Sequence, residues 1–172
     1  MKLFKFCILM VNMSLNNIER FIKSRKVEFR SHSYVYDEND LSVETIADKN
    51  GWKTENIFKT LMLEDVSGNL IVTVISGIHH LDRKKVAMNT KRKKVQFIPV
   101  SKLLSKTGFV RGACSPIIPH RKVQVLIDEF ILTKPSILVN AGERGKLLEL
   151  AAQDLVDLCN AQVVDIVADY SE

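Results

Sequence analysis

Few side chains in this sequence stand where chemistry could begin. Lys59, inside Phe58-Lys59-Thr60-Leu61, leads directly into an apolar run. On its own such a lysine reads as a solvated strand end. Ser115 is the one serine on a loop bounded by glycine and proline, Gly112-Ala113-Cys114-Ser115-Pro116. Taken alone it reads as a turn residue, and Cys114 beside it as a small apolar strand residue. There is no G-x-S-x-G, no H-E-x-x-H and no cysteine with an obvious histidine partner. No glycine loop of the Walker or dinucleotide kind occurs. Cys7, Cys114 and Cys159 form an odd, sparse set without C-x-x-C spacing, which argues against a disulfide framework or a structural zinc site. His32, His79, His80 and His120 lack metal-ligand spacing, and His79-His80 read as a surface turn. No metal and no cofactor are expected.

Those residues must be positioned by a single folded unit. The chain has 172 residues, 46% hydrophobic and 26% charged, which fits one domain with a sizeable core. The net charge of +5 is compatible with a phosphate-bearing partner, although charge alone favours a mildly basic protein without one. Phe4 to Val11 is apolar and mimics a signal peptide, but it is short and no small-residue cleavage site follows. Residues 1–12 are therefore expected to be an extension, with Met13 as the alternative start, and 13–172 a single domain. No segment reaches transmembrane length. With reduced cysteines expected, the reading is a cytoplasmic protein without a membrane partner.

The elements follow from periodicity. Helices are predicted over Asn16–Lys26, Ser42–Asn50 with Gly51 as the stop, Asp82–Asn89, Ser101–Lys106 and Ala152–Asn160. Strands are predicted over Val27–Tyr36, Thr60–Val66, Leu70–Ser76, Val95–Ile98, Val123–Ile131, Ile137–Asn140, Leu147–Leu150 and Gln162–Val167, with Ser67-Gly68-Asn69 as a hairpin loop. Phe109–His120 reads as strand plus irregular loop. Strands broken by short helices suggest α+β with a mixed, largely antiparallel sheet.

In order along the chain stand Phe58-Lys59-Thr60-Leu61, Leu81-Asp82-Arg83-Lys84-Lys85-Val86-Ala87, Thr107 to Pro116, Ile127-Asp128, Ala141-Gly142-Glu143-Arg144-Gly145 and Glu149-Leu150. This series resembles the YbaK/EbsC family of aminoacyl-tRNA deacylases, related to the editing insertion of bacterial prolyl-tRNA synthetase. The resemblance covers roughly Asn16 to Val167 and is nearest to the free-standing type that clears cysteine from tRNA(Pro). It implies a compact, barrel-like mixed sheet with surrounding helices. It implies Lys59, Gly112 and Ser115 as catalytic, with Lys59 holding the terminal adenosine and the Gly112–Pro116 loop facing the aminoacyl group. It implies Tyr34, Thr60, Phe109, Ala113, Pro116, Asn140 and Gly142 as substrate-binding residues, and the acceptor end of aminoacyl-tRNA and prolyl-tRNA synthetase as partners. The oligomeric state is left open.

An aminoacyl ester is already activated, so positioning alone goes far. A cysteinyl ester also carries its own thiol, which removes the need for a triad. The chain departs from the family's pattern at Ala113, where a second glycine is usual, and at Phe109, where tyrosine is common. Leu147 stands in place of a frequent acid, and Asn140 in place of a common serine. Two alternatives stay open: a deacylase for alanine or another small amino acid that activates water, and a non-catalytic module that binds tRNA or a synthetase.

Overall fold

The computed structural model describes residues 15–169, so the expected extension at 1–12 lies outside the described residues. Five helices are α1 (Asn17–Ser24), α2 (Val43–Asn50), α3 (Arg83–Asn89), α4 (Val100–Thr107) and α5 (Ala152–Cys159). Eight strands are β1 (Arg30–Ser33), β2 (Ile57–Asp65), β3 (Leu70–Ser76), β4 (Val95–Phe97), β5 (Gln124–Asp128), β6 (Ser136–Asn140), β7 (Lys146–Ala151) and β8 (Gln162–Val164). They form one mixed sheet in the order β1-β7-β6-β2-β3-β5-β8, with β4 also on β2. Pairings β1·β7, β2·β3, β2·β4 and β6·β7 are antiparallel. Pairings β2·β6, β3·β5 and β5·β8 are parallel. The architecture is α+β, as expected.

Local chemistry sets the helix ends. Asn16 caps α1 by accepting from the Glu19 amide at 2.9 Å, and Glu19 returns the bond to the Asn16 amide at 2.8 Å. Ser42 caps α2, and Gly51 closes it in the left-handed region. Alternation along the strands divides the core. Phe58, Met62, Val72, Val74 and Ile127 enter a large cluster under α1, α4 and α5, while Leu63, Ile71, Ile75 and Leu126 pack against α3. A third cluster, including Tyr34, Ile46, Ile57 and Leu147, lies beneath α2.

Several boundaries differ from the sequence expectation. Of Val27–Tyr36 only Arg30–Ser33 is strand, because β7 offers partners to those four residues alone. Phe109–His120 contains no strand; Gly112, Pro116 and Pro119 keep it in turns. Cys114 is thus a loop residue, not a strand residue. The strand expected to reach Ile131 stops at Asp128, whose carboxylate accepts from the Phe130 amide at 3.1 Å and starts a 3-10 turn. The last strand ends at Val164, with Val167 in a lone bridge to Leu81. His79 is not a surface turn residue, since its ring packs edge-on to Phe130 at 4.8 Å.

One feature of β2 positions the site. Ile57 and Phe58 pair with β6, and Leu63–Asp65 pair with β4, on the same edge of the strand. Between them the two neighbours diverge. Among the described residues no strand pairs with Lys59–Leu61 on that edge.

Candidate active site

The gap in the β2 edge opens into a cleft of about 470 Å³. Ile57 to Met62 form its floor, Phe97, Ile98 and Leu103 one wall, and Arg111, Gly112 and Cys114 another. Leu41 to Glu44, at the start of α2, lie across from them, with Tyr34, Asn140, Leu147 and His80 completing the lining. Most of these groups are apolar, and polar atoms are few, as suits a small-molecule moiety that must be oriented.

Lys59 is the cation within this cleft floor. It is half-buried, and its Nζ donates to the Gly77 carbonyl at 3.2 Å. Burial pushes its pKa down, and the Glu44 carboxylate opposes that shift. An ammonium has three donors, and one carbonyl uses one of them. Gly77 permits the close approach: a Cβ there would stand 2.7 Å from the Thr54 carbonyl oxygen. Next to Lys59, the Thr60 hydroxyl oxygen is buried and has no hydrogen-bond partner among the described residues. A buried polar atom without a partner is costly unless a ligand satisfies it.

Asn140 ties the loops together. Its side-chain amide donates to the Gly112 carbonyl at 3.0 Å, and its oxygen accepts from the Gly142 amide at 2.7 Å. Gly112 needs its lack of side chain, with φ of 81° and the Leu41 side chain 2.7 Å from where a Cβ would be. The Tyr34 hydroxyl is raised in pKa by burial, against the lowering effects of the Gly145 backbone and the Asn140 side chain.

The cleft therefore brings together Tyr34, Lys59, Thr60, Gly112 and Asn140. Five other expected residues stand behind it. Ser115 is fully buried and its hydroxyl accepts from the Ile117 amide at 3.2 Å. Ala113 and Pro116 are buried, and the Pro116 carbonyl accepts from the Cys159 thiol at 3.5 Å. Phe109 packs on the core near Gly142.

The match to the aminoacyl-tRNA editing domain spans residues 37–158, most of the chain and every cleft element except Tyr34. The chain belongs to the YbaK/EbsC family of aminoacyl-tRNA editing domains. Aminoacyl-tRNA is accordingly its substrate class, and deacylation its reaction. A protein of Enterococcus faecalis, named as a candidate Cys-tRNA(Pro)/Cys-tRNA(Cys) deacylase, EbsC, is 33% identical over 150 residues, which are 87% of this chain and 92% of the relative. Among solved structures, the hypothetical protein APE2540 superposes with a TM-score of 0.80 at 23% identity, covering 89% of this chain and all of its own. A candidate trans-editing enzyme for prolyl-tRNA synthetase does so with a TM-score of 0.74 at 20% identity, covering 91% and 100%. These two similarities show the fold. Among the described residues no helix is long and apolar enough to cross a membrane.

For an editing domain, the informative lining residues that the sequence did not single out are Glu44 and Phe97, while Arg111 and Cys114 lie within the Thr107–Pro116 motif and carried no expected place in the cleft. Burial pushes the Cys114 thiol up to about 11, so it is protonated at neutral pH. Its Sγ donates to the Val110 carbonyl at 3.7 Å. Only the positions flanking Lys59 and Gly112 carried a sequence signal. Glu44 and Phe97 reach the cleft through tertiary packing.

Proposed function

We propose that this chain is a trans-editing deacylase that removes cysteine wrongly attached to tRNA(Pro), with the substrate's own thiol as nucleophile. The observation that carries this reading is that, among the described residues, no serine, threonine or cysteine of the cleft is hydrogen-bonded to a base that would activate it. Cys114 is held protonated, and Thr60 has no hydrogen-bonded base. Ser42 is engaged at the α2 cap and with Asp40, whose carboxyl is held down to about 2 by hydrogen bonds from Thr45 and then Ser42, a weak base. The name of the Enterococcus faecalis relative supports the choice of cysteine.

In this reaction the cysteinyl sulfur attacks its own ester carbonyl. A carbon–sulfur bond forms, the ester carbon–oxygen bond breaks, and the thiol proton ends on the ribose oxygen of the released tRNA. The other product is a strained cysteine thiolactone, which water opens. Lys59 holds the phosphate of the terminal adenosine and favours the thiolate. The Gly112 backbone takes the developing oxyanion. Tyr34, Thr60 and Asn140 orient the aminoacyl group. Phe109, Ala113, Ser115, Pro116 and Gly142 keep the loop in shape from behind. Alanine has no thiol and the serine hydroxyl is a far weaker nucleophile, so selectivity comes with the mechanism. Prolyl-tRNA synthetase, the source of the error, is the partner this activity serves.

The test is deacylation of Cys-tRNA(Pro) and Ala-tRNA(Pro) side by side. Rapid loss of cysteine with alanine retained is expected. Equal cleavage of both moves the assignment to a water-activating deacylase, and cleavage of neither to a binding module.

A further inference from the structure

Strand β4 and helix α3 border two adjoining features. At the first, Phe97 lines the cleft, yet the residue is 46% exposed. The Arg83 guanidinium carbon sits 5.8 Å from the centre of that ring. Arg83 also belongs to the second, sharing with Lys84, Lys93 and Lys94 a groove of about 440 Å³ that touches Val95 of β4. All four cations are exposed. Among the described residues none has a carboxylate within ion-pair distance, whereas their neighbours are paired: Lys85 with Asp165 and Asp169, Arg92 with Asp65, and Lys106 with Glu64. The acid in the groove, Asp82, is committed to the Lys84 and Lys85 amides at 2.7 and 3.3 Å.

We infer that Phe97 and this groove form the landing surface for the single-stranded 3′ end of the RNA as it leaves the cleft. The inference rests on aminoacyl-tRNA as the substrate. An exposed aromatic face backed by a guanidinium stacks an unpaired base. Unpaired ammonium groups beside it gain by releasing counterions from phosphates. Four uncompensated cations fit a polyanion better than a protein surface, whose buried charges must each find a partner. With the terminal adenosine at Lys59, the next base meets Phe97 and the following phosphates run into the groove.

The test uses the full chain, a tRNA(Pro) transcript and the same transcript trimmed of its 3′ CCA. Phe97→Ala should weaken binding of the intact RNA by about tenfold or more, and Phe97→Trp should restore it. The trimmed RNA should not distinguish them. The double variant Lys93→Gln/Lys94→Gln should weaken the intact RNA, leave the trimmed RNA within about twofold, and lower the slope of log affinity against log salt for the intact RNA by about 1.4, two single-stranded phosphates' worth. On cysteinyl-tRNA(Pro) the loss should fall on KM more than on kcat. Folded variants that bind within about twofold of the parent, with an unchanged slope, overturn the inference and leave the deacylase reading standing. The expected binding losses in a protein that deacylates nothing uphold the surface and sink the deacylase. Absence of RNA binding by the parent at low salt overturns both. Effects seen only with prolyl-tRNA synthetase present make the groove a protein contact and overturn the inference.

Discussion

At the scale of single residues, positioning and bond-making fall to different groups. Lys59 is half-buried with one carbonyl partner, so removing it should cost function and not folding. Lys59→Ala is expected to lower kcat/KM for cysteinyl-tRNA by about a hundredfold or more, the size of effect that loss of one preorganised electrostatic contact produces. Its melting temperature should match or exceed that of the parent, because the desolvation that depresses the Lys59 pKa is relieved. Full activity in the folded variant would remove Lys59 from the mechanism. Cys114 gives the opposite expectation. Cys114→Ala should keep most activity, and iodoacetamide should label Cys114 slowly at neutral pH, since thiolate appears only as pH nears 11. An acyl adduct trapped on Cys114 would contradict the assignment. The place of Lys59 in the cleft was legible only through the family resemblance that its continuous motif carries, since the lysine alone reads as a solvated strand end. Thr60's missing partner was not, because satisfaction of a hydroxyl depends on what folds around it.

At the scale of elements, α1 braces the turn behind the cleft. The Asn16 side chain donates to the Ala141 carbonyl at 3.0 Å, and Glu19 pairs with Lys146 of β7 at 2.9 Å with both side chains buried. Burial by itself would raise the Glu19 pKa; hydrogen bonds from Ser31, Lys146 and the Asn16 backbone outweigh it, and the net shift is downward. A lowered carboxyl pKa means stability that is present above the unfolded value of 4.5 and is lost as pH falls through the lower folded value. Glu19→Gln should therefore cost about 3 kcal/mol at neutral pH by leaving the buried Lys146 with only the half-exposed Glu143 carboxylate, 3.1 Å away. At this chain length that is a melting temperature lower by about 6 to 12 °C, measured by calorimetry. The difference from the parent should shrink in acid. A variant as stable as the parent at pH 7 would show that the pair contributes nothing net. Helix α1 itself was readable, since Asn16 and Glu19 form a capping box in four residues. Its partner Lys146 was not, because a pair 127 residues apart leaves no local pattern.

At the scale of the molecule, the hairpin β2·β3 was visible in its β-branched second arm and its Gly68 loop. The parallel pairings of β3 with β5 and β5 with β8 were not. Parallel neighbours are joined by long crossovers, so no turn residue announces them. The split edge of β2, and with it the cleft, follows from its parallel pairing with β6, its antiparallel pairing with β4, and the divergence of those two neighbours. In the proposed mechanism that cleft holds the substrate so that the substrate cleaves itself. Cysteinyl-tRNA(Pro) methylated on sulfur tests it most directly, because it keeps the ester, the amino group and nearly the same shape while removing the nucleophile. Single-turnover deacylation should be fast for unmodified cysteinyl-tRNA(Pro) and indistinguishable from the uncatalysed rate for the S-methyl form, which should still compete for binding. Rapid cleavage of the S-methyl substrate would contradict the account and place the nucleophile in water activated by the protein.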